Sequence, residues 1–244
     1  MQKTVHFILQ GKGGVGKSFI ASNIAQFLIQ SGETVNCYDT DPVNQTFGRY
    51  DALNVQSINI LNEHQQIDSS VFDKLIEDLF AKDGIAVIDN GAATFVPLMS
   101  YLRESNIIDM LNESGIKVIV HVPVVGGQAM EDTLMGLNAV ISELHCEVVV
   151  WINLYWGEVQ LENRSFEDLK VYKNHADKIT TVIRLKNYNP DTFGKDIREM
   201  TSKHLTYEQY LNSEKYTLMP KQRIKMVRTD IFTQLLQAPL LLSS

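Results

Sequence analysis

The sequence predicts an α/β fold: a doubly wound, mainly parallel sheet with helices on both faces. Three observations predict it. Apolar runs at 5–9, 35–38, 85–88, 118–122 and 148–152 have the length of buried strands, and a sixth lies at 179–185. Apolar residues at helical spacing fill the intervals at 18–30, 71–81, 95–111 and 127–143. Strands that alternate with helices pair in parallel, because each crossover helix returns the chain to the same end of the sheet. Finally, the residues with chemical character cluster where these runs end, and ligands of such sheets bind at the carboxyl edge of the strands.

The first strand leads into Gly11-Lys12-Gly13-Gly14-Val15-Gly16-Lys17-Ser18, a complete G-x-x-x-x-G-K-[ST] phosphate-binding loop. A triphosphate is a dense anion, best held by backbone N–H groups with no side chains in the way. Gly13, Gly14 and Gly16 permit that approach. Lys17 reaches the β- and γ-phosphates, and the Ser18 hydroxyl coordinates Mg²⁺. Phe19 follows, and Ile20, Ile24, Phe27 and Leu28 continue at helical spacing until Gly32. The helix N-terminus therefore points at the phosphates. The order strand, glycine loop, helix separates this motif from a chance glycine-rich turn. Residues Gly11 and Gly13 to Phe19 form the expected nucleotide-binding set.

The second strand ends in Asp39-Thr40-Asp41-Pro42-Val43-Asn44, whose acids either cap the turn or serve chemistry. Ile85 to Asp89 is an apolar run ending in an acid, the Walker B pattern. Asp89 is expected to hold Mg²⁺ through a water, since that ion dehydrates reluctantly. Gly91 can offer an N–H to the γ-phosphate. Val148 to Asn153 is a strand ending in asparagine, which either starts a turn or reads a base with its amide.

Lys12 through Ser18 resembles the deviant Walker A signature of the ParA/MinD family of P-loop ATPases. The resemblance implies that Lys12 touches the phosphates of a partner's nucleotide in an ATP-sandwich homodimer. It implies that Asp41 orients the attacking water, Asp39 supports the metal from behind, and Asn153 reads adenine. Val43 stands where the family usually has glutamine, and Asn90-Gly91-Ala92 where proline is common, which leaves the second switch segment open. Residues 9–22 and 39–44, with Ala52-Leu53-Asn54-Val55, are similar to the TraL conjugal-transfer branch of broad-host-range plasmids. The matching motifs cover residues 1 to about 155.

The function so implied is a slow, ATP- and Mg²⁺-dependent hydrolytic switch in plasmid transfer or maintenance. Its expected partners are a second copy and a conjugation or partition protein. A small-molecule ligase or synthase of the same superfamily is the rival enzyme, and a sensor with negligible turnover the rival binder. Lys12 argues against the ligase. An iron–sulfur reductase is excluded, because Cys37 and Cys146 stand in the wrong places for a shared cluster.

A length of 244 residues suits one domain, 1–244, with a tail at 230–244. The net charge of −7 is uneven: 8 basic and 18 acidic residues precede position 157, and 14 basic and 11 acidic follow. Lys215, Lys221, Arg223, Lys225 and Arg228 are the densest basic group, either a solvated helix face or a DNA contact. The cysteines form no C-x-x-C pair and no secretory signal is visible, so the chain reads as cytoplasmic with reduced thiols. No apolar run is long enough to span a bilayer. His6 and His121 read as core residues, and Trp151 and Trp156 as packing.

Residues 154–178 are expected to hold a short exposed helix, 186–200 a loop near the base, and 220–237 a last helix. The tail carries Ile231, Phe232, Leu235, Leu236 and Leu240 to Leu242 and is broken by Pro239. Docking on the domain's own core is its expected fate, ahead of membrane or partner contact.

Overall fold

Seven parallel strands form one sheet in a computed structural model that describes residues 3–238 apart from 63, 65–67 and 69. They are β1 (Thr4–Ile8), β2 (Val35–Asp39), β3 (Gln56–Ser57), β4 (Ile85–Asp89), β5 (Lys117–Val125), β6 (Glu147–Asn153) and, after a separate antiparallel hairpin of β7 (Gln160–Leu161) and β8 (Arg164–Ser165), β9 (Ile179–Leu185). The spatial order is β3-β2-β4-β1-β5-β6-β9. β1 is therefore central, paired from Thr4 with Ile85 of β4 on one side and with Lys117 of β5 on the other. The ends of β2 and β4 lie level, with Asp39 opposite Asp89.

Side chains alternate across this sheet. Val5, Phe7 and Leu9 enter a core with Leu75, Leu98 and Leu137, from α2 (Val71–Ala81), α3 (Phe95–Glu104) and α5 (Met130–Glu143). Ile8 faces the other way, toward Ile20 and Ile24 of α1 (Lys17–Gln30). α4 (Ile107–Glu113) joins the first layer and α9 (Leu218–Gln237) the second. The expected doubly wound architecture is observed.

Several elements differ from expectation. The single helix expected at 95–111 is broken at Asn106, whose φ of 49° is left-handed and starts α4 afresh. Residues 154–178 hold two 3₁₀ turns (Leu154–Trp156 and Phe166–Asp168), the hairpin and one short helix, α6 (Lys170–Lys173). The expected loop at 186–200 contains α7 (Phe193–Ser202), and α8 (Tyr207–Asn212) follows with a Thr206/Gln209 capping box. α9 starts at Leu218, with Pro220 inside its first turn, where a missing N–H breaks no helical bond.

The tail packs inward as far as it is described. Ile231, Leu235 and Ala238 are buried, and Phe232 meets Phe27 and Tyr207 edge-on. Residues 239–244, with Pro239 and Leu240 to Leu242, lie outside the described residues. Among the described residues no helix is long and apolar enough to cross a membrane.

One polar chain crosses the core beneath the site. Trp151 Nε1 donates to His121 Nδ1 at 3.0 Å. An indole can only donate, so His121 carries its proton on Nε2, and this N–H donates a hydrogen bond to His6 Nδ1 at 2.9 Å. His6 then keeps an Nε2–H that is buried without a partner. Burial drives the His6 pKa down to about 3 and that of His121 well below the ordinary range.

Candidate functional site

The glycine loop leaves β1 at the centre of the sheet and returns as α1. Gly14 and Gly16 have φ of 74° and 103°, which side chains with a Cβ rarely adopt. Gly16 is the N-cap of α1, so the first free N–H groups of that helix follow directly. Val15 is buried and anchors the loop. Lys17 is buried too, and its Nζ donates to the Lys12 carbonyl at 3.0 Å, across the loop. Phe95 packs against the loop's first residue: a Cβ on Gly11 would lie 3.0 Å from its ring.

Three acids surround this loop. Asp89 is buried and keeps an Oδ1 with no partner. Burial pushes its pKa up to about 7, with Asp39 and Asp41 adding to the rise and Ser18 and Lys17 opposing it. Burial lowers the pKa of Lys17, and Asp89 and Asp41 oppose that shift. Asp39 is fully buried, and its oxygens accept from the backbone N–H groups of Asp41 (2.9 Å) and Gly48 (2.8 Å). It thereby organises the loop after β2. Asp41 Oδ1 accepts from the N–H groups of Val43 and Asn44, closing a tight turn.

The donor set fits Mg²⁺. Among the described residues no group of three His, Cys, Asp or Glu could hold a metal alone. A hard cation that keeps its waters needs only one hydroxyl, one carboxylate and phosphate oxygens. Ser18 and the unpartnered Oδ1 of Asp89 supply the first two.

Lys12 does not extend freely into solvent. Its Nζ pairs with Asp132 Oδ2 at 2.7 Å, and both side chains are about half exposed. Asp132 lies in the first turn of α5, the helix after β5. The same helix is tied to the loop from below. Buried Gln10 donates to the carbonyls of Pro123 (3.0 Å) and Thr133 (3.1 Å), and its side chain fills the space that a Cβ on Gly136 would need.

Beside the loop opens a cavity of about 580 Å³. Gly16, Phe19, Asn153, Tyr155 and Tyr188 line it, with Val227 and Ile231 behind. Tyr188 stacks on Phe193, their ring centroids 5.3 Å apart. Asn153 already uses its amide twice, Nδ2 donating to the Val15 carbonyl at 3.1 Å and Oδ1 accepting from Tyr155 N–H at 3.2 Å. One N–H and one lone pair remain for a ligand.

The structure thus gathers Lys12, Lys17, Ser18, Asp39, Asp41, Asp89 and Gly91 around one loop, with Phe19 and Asn153 on the side of the cavity. Sequence reasoning missed Asp132, Gln10 and Tyr155, whereas Tyr188 lies in the segment expected near the base. Asp132 had a signal, an acid in the first turn of the helix after β5. Its partner is 120 positions away, and only the pairing of β1 with β5 brings them together. Trp151, read as packing, also anchors the buried histidine chain.

The model of the CobQ/CobB/MinD/ParA nucleotide binding domain matches residues 6–213. Two Escherichia coli proteins, each described as Protein TraL, are similar to this chain. One is 42% identical over 233 residues, covering 95% of this chain and 96% of the relative. The other is 41% identical over 239 residues, covering 97% and 99%. Solved structures agree on the fold. A MinC:MinD cell division complex from Aquifex aeolicus matches with a TM-score of 0.56 at 16% identity, covering 99% of both chains. A Pyrococcus horikoshii OT3 MinD complexed with Mg-ADP matches with a TM-score of 0.52 at 16% identity, covering 93% and 94%. The chain therefore belongs to the CobQ/CobB/MinD/ParA nucleotide-binding family and, within it, is a homologue of the TraL proteins.

Proposed function

We propose that the chain is a cytoplasmic, Mg²⁺-dependent ATPase switch of plasmid conjugal transfer or maintenance, which closes into a homodimer around ATP. The observation that carries this reading is a second lysine on the rim of a complete phosphate loop. Lys12 stands half exposed at the mouth of the site, whereas Lys17 is buried within it.

Backbone N–H groups of residues 13–18 hold the phosphates, and Lys17 turns from the Lys12 carbonyl to the β- and γ-oxygens. Bound Mg²⁺, held by Ser18 and Asp89, supplies charge neutralisation at the phosphates. Asp41 orients water for in-line attack, and Gly91 offers its N–H to the γ-phosphate. Lys12 leaves Asp132 and neutralises the phosphates of the partner's nucleotide. Such transfer needs placement and charge more than covalent chemistry. None of the described residues lining the base cavity is acidic, so guanine would find no carboxylate for its N1–H and N2–H₂. This favours adenine.

The output is regulated contact with a conjugation or partition protein. Lys215, Lys221, Lys225 and Arg228 remain candidates for DNA phosphates, whereas Arg223 is paired with Asp196 at 2.5 Å. Light scattering in ADP and in ATP plus Mg²⁺ tests the switch. The wild type is expected to double its mass only with ATP, D41A to stay dimeric, and K12A to stay monomeric. A mass indifferent to nucleotide and to K12A would leave a monomeric sensor or a small-molecule enzyme.

A further inference from the structure

Asn90 follows the metal-site acid and is 1% exposed. Its Oδ1 accepts from two hydroxyls, Thr40 Oγ1 at 3.1 Å and Thr94 Oγ1 at 2.5 Å. Thr40 stands between Asp39 and Asp41, and Thr94 is the N-cap residue of α3. One side-chain oxygen therefore joins the loop after β2 to the loop after β4.

Backbone contacts tighten this join. Thr40 N–H donates to the Asp89 carbonyl at 3.0 Å. A Cβ on Gly91 would lie 2.8 Å from Asp41 Cγ and 2.9 Å from its Cα. Asp41 thus occupies the space that any side chain at position 91 would need, so the two loops lie close together and a displacement of one bears on the other.

The network also has a second arrangement within reach. Each hydroxyl has one proton and two acceptors. Thr94 Oγ1 also lies 2.9 Å from the Gly91 carbonyl, and Thr40 Oγ1 lies 3.2 Å from that of Asp89. Meanwhile Asn90 Nδ2 is buried with no partner. A buried donor left unmade raises the free energy of the arrangement that contains it, which favours a shift that satisfies it. An amide here also keeps a fourth carboxylate away from Asp39, Asp41 and Asp89.

We infer that Asn90 is a positioning residue: with Thr40 and Thr94 it transmits the presence of a γ-phosphate at Gly91 to Asp41, the residue that orients water. The inference rests on the ATPase reading above.

The test uses the full chain and three variants: T94V, which keeps the shape and loses the hydroxyl, T94S, which restores it, and N90A. Thermal melts first establish that each is folded. ATP affinity and turnover are then measured separately, with hydrogen exchange at 40–48 and 89–95 in ADP and in AMPPNP plus Mg²⁺. In the wild type AMPPNP, unlike ADP, should protect both segments. In T94V and N90A it should protect 89–95 alone. Turnover should fall about tenfold or more while ATP affinity stays within about twofold, since the loss is one of placement. T94S should recover both readouts.

Joint protection and unchanged turnover in T94V and N90A would overturn the inference. So would parallel loss of affinity and turnover that T94S does not recover. If the wild type binds ATP without hydrolysing it, the exchange comparison decides alone. If the wild type binds no ATP, the ATPase reading falls and the inference falls with it.

Discussion

The two halves of the site are built by different rules. The phosphate half comes from one continuous loop and the ends of two neighbouring strands, and it buries Lys17, Asp39 and Asp89. A buried charge is costly unless each neighbour is chosen for it. Every position is therefore specified, down to glycines with positive φ. The base half draws on the ends of β6 and β9, α7, α9 and the loop before Tyr50. Its polar groups mostly satisfy one another, as Asn153 satisfies Val15 and Tyr155, and Tyr188 reaches Asp230. What it presents to a ligand is shape and apolar surface. Charge demands particular residues, whereas shape can be made in many ways.

The largest test of this contrast is K17A. Removing the buried cation proposed to neutralise the phosphates should lower ATP turnover about 100-fold or more, read by phosphate release. The base half should answer more mildly. N153A removes the proposed contact with the base and the tie to Val15, and should weaken ATP and ADP alike by about threefold to tenfold, the span of one hydrogen bond, in a calorimetric titration. A loss in N153A as large as in K17A would break the contrast, and would make the Val15 tie part of the phosphate half.

The smallest effect on turnover should come from beneath both halves. His6 and His121 have folded pKa values depressed by burial, His6 to about 3. Below the unfolded value of about 6.5 the unfolded chain takes up protons that the folded chain refuses, so stability falls as pH drops from there toward about 3. The urea midpoint of the wild type should fall between pH 7 and pH 5. The double variant H6Q/H121Q should flatten that slope and leave turnover at pH 7 unchanged. An equal slope in both proteins would place the acid sensitivity elsewhere.

Legibility followed the same division. The positions of the phosphate loop, Asp39 and Asp89 were legible because each directly follows or ends an apolar run, and Asp41 stands two residues beyond Asp39 in the same local motif. The sheet was legible for the same reason: the six runs fall on β1, β2, β4, β5, β6 and β9. α7 was missed although Phe193, Ile197 and Met200 recur at helical spacing, because Pro190 and Gly194 read as loop signals. The break at Asn106 was missed because the apolar spacing runs on through it. Asp132, Gln10 and the Thr40–Asn90–Thr94 join were not legible. Each depends on strands that are neighbours in the sheet and distant in the chain.

The contact between Lys12 and Asp132 changes how closure should respond to its surroundings. In the proposed dimer Lys12 cannot serve a partner's phosphates while it serves Asp132, so association exchanges one ion pair for another. Salt screens both pairs, and much of its effect cancels, whereas an association built on a wholly new pair would weaken steeply with ionic strength. The set point of closure is then a difference between two attractions. An acid on α5, a helix with no proposed phosphate ligand, would act as the counterweight that decides how much ATP is needed before two copies meet.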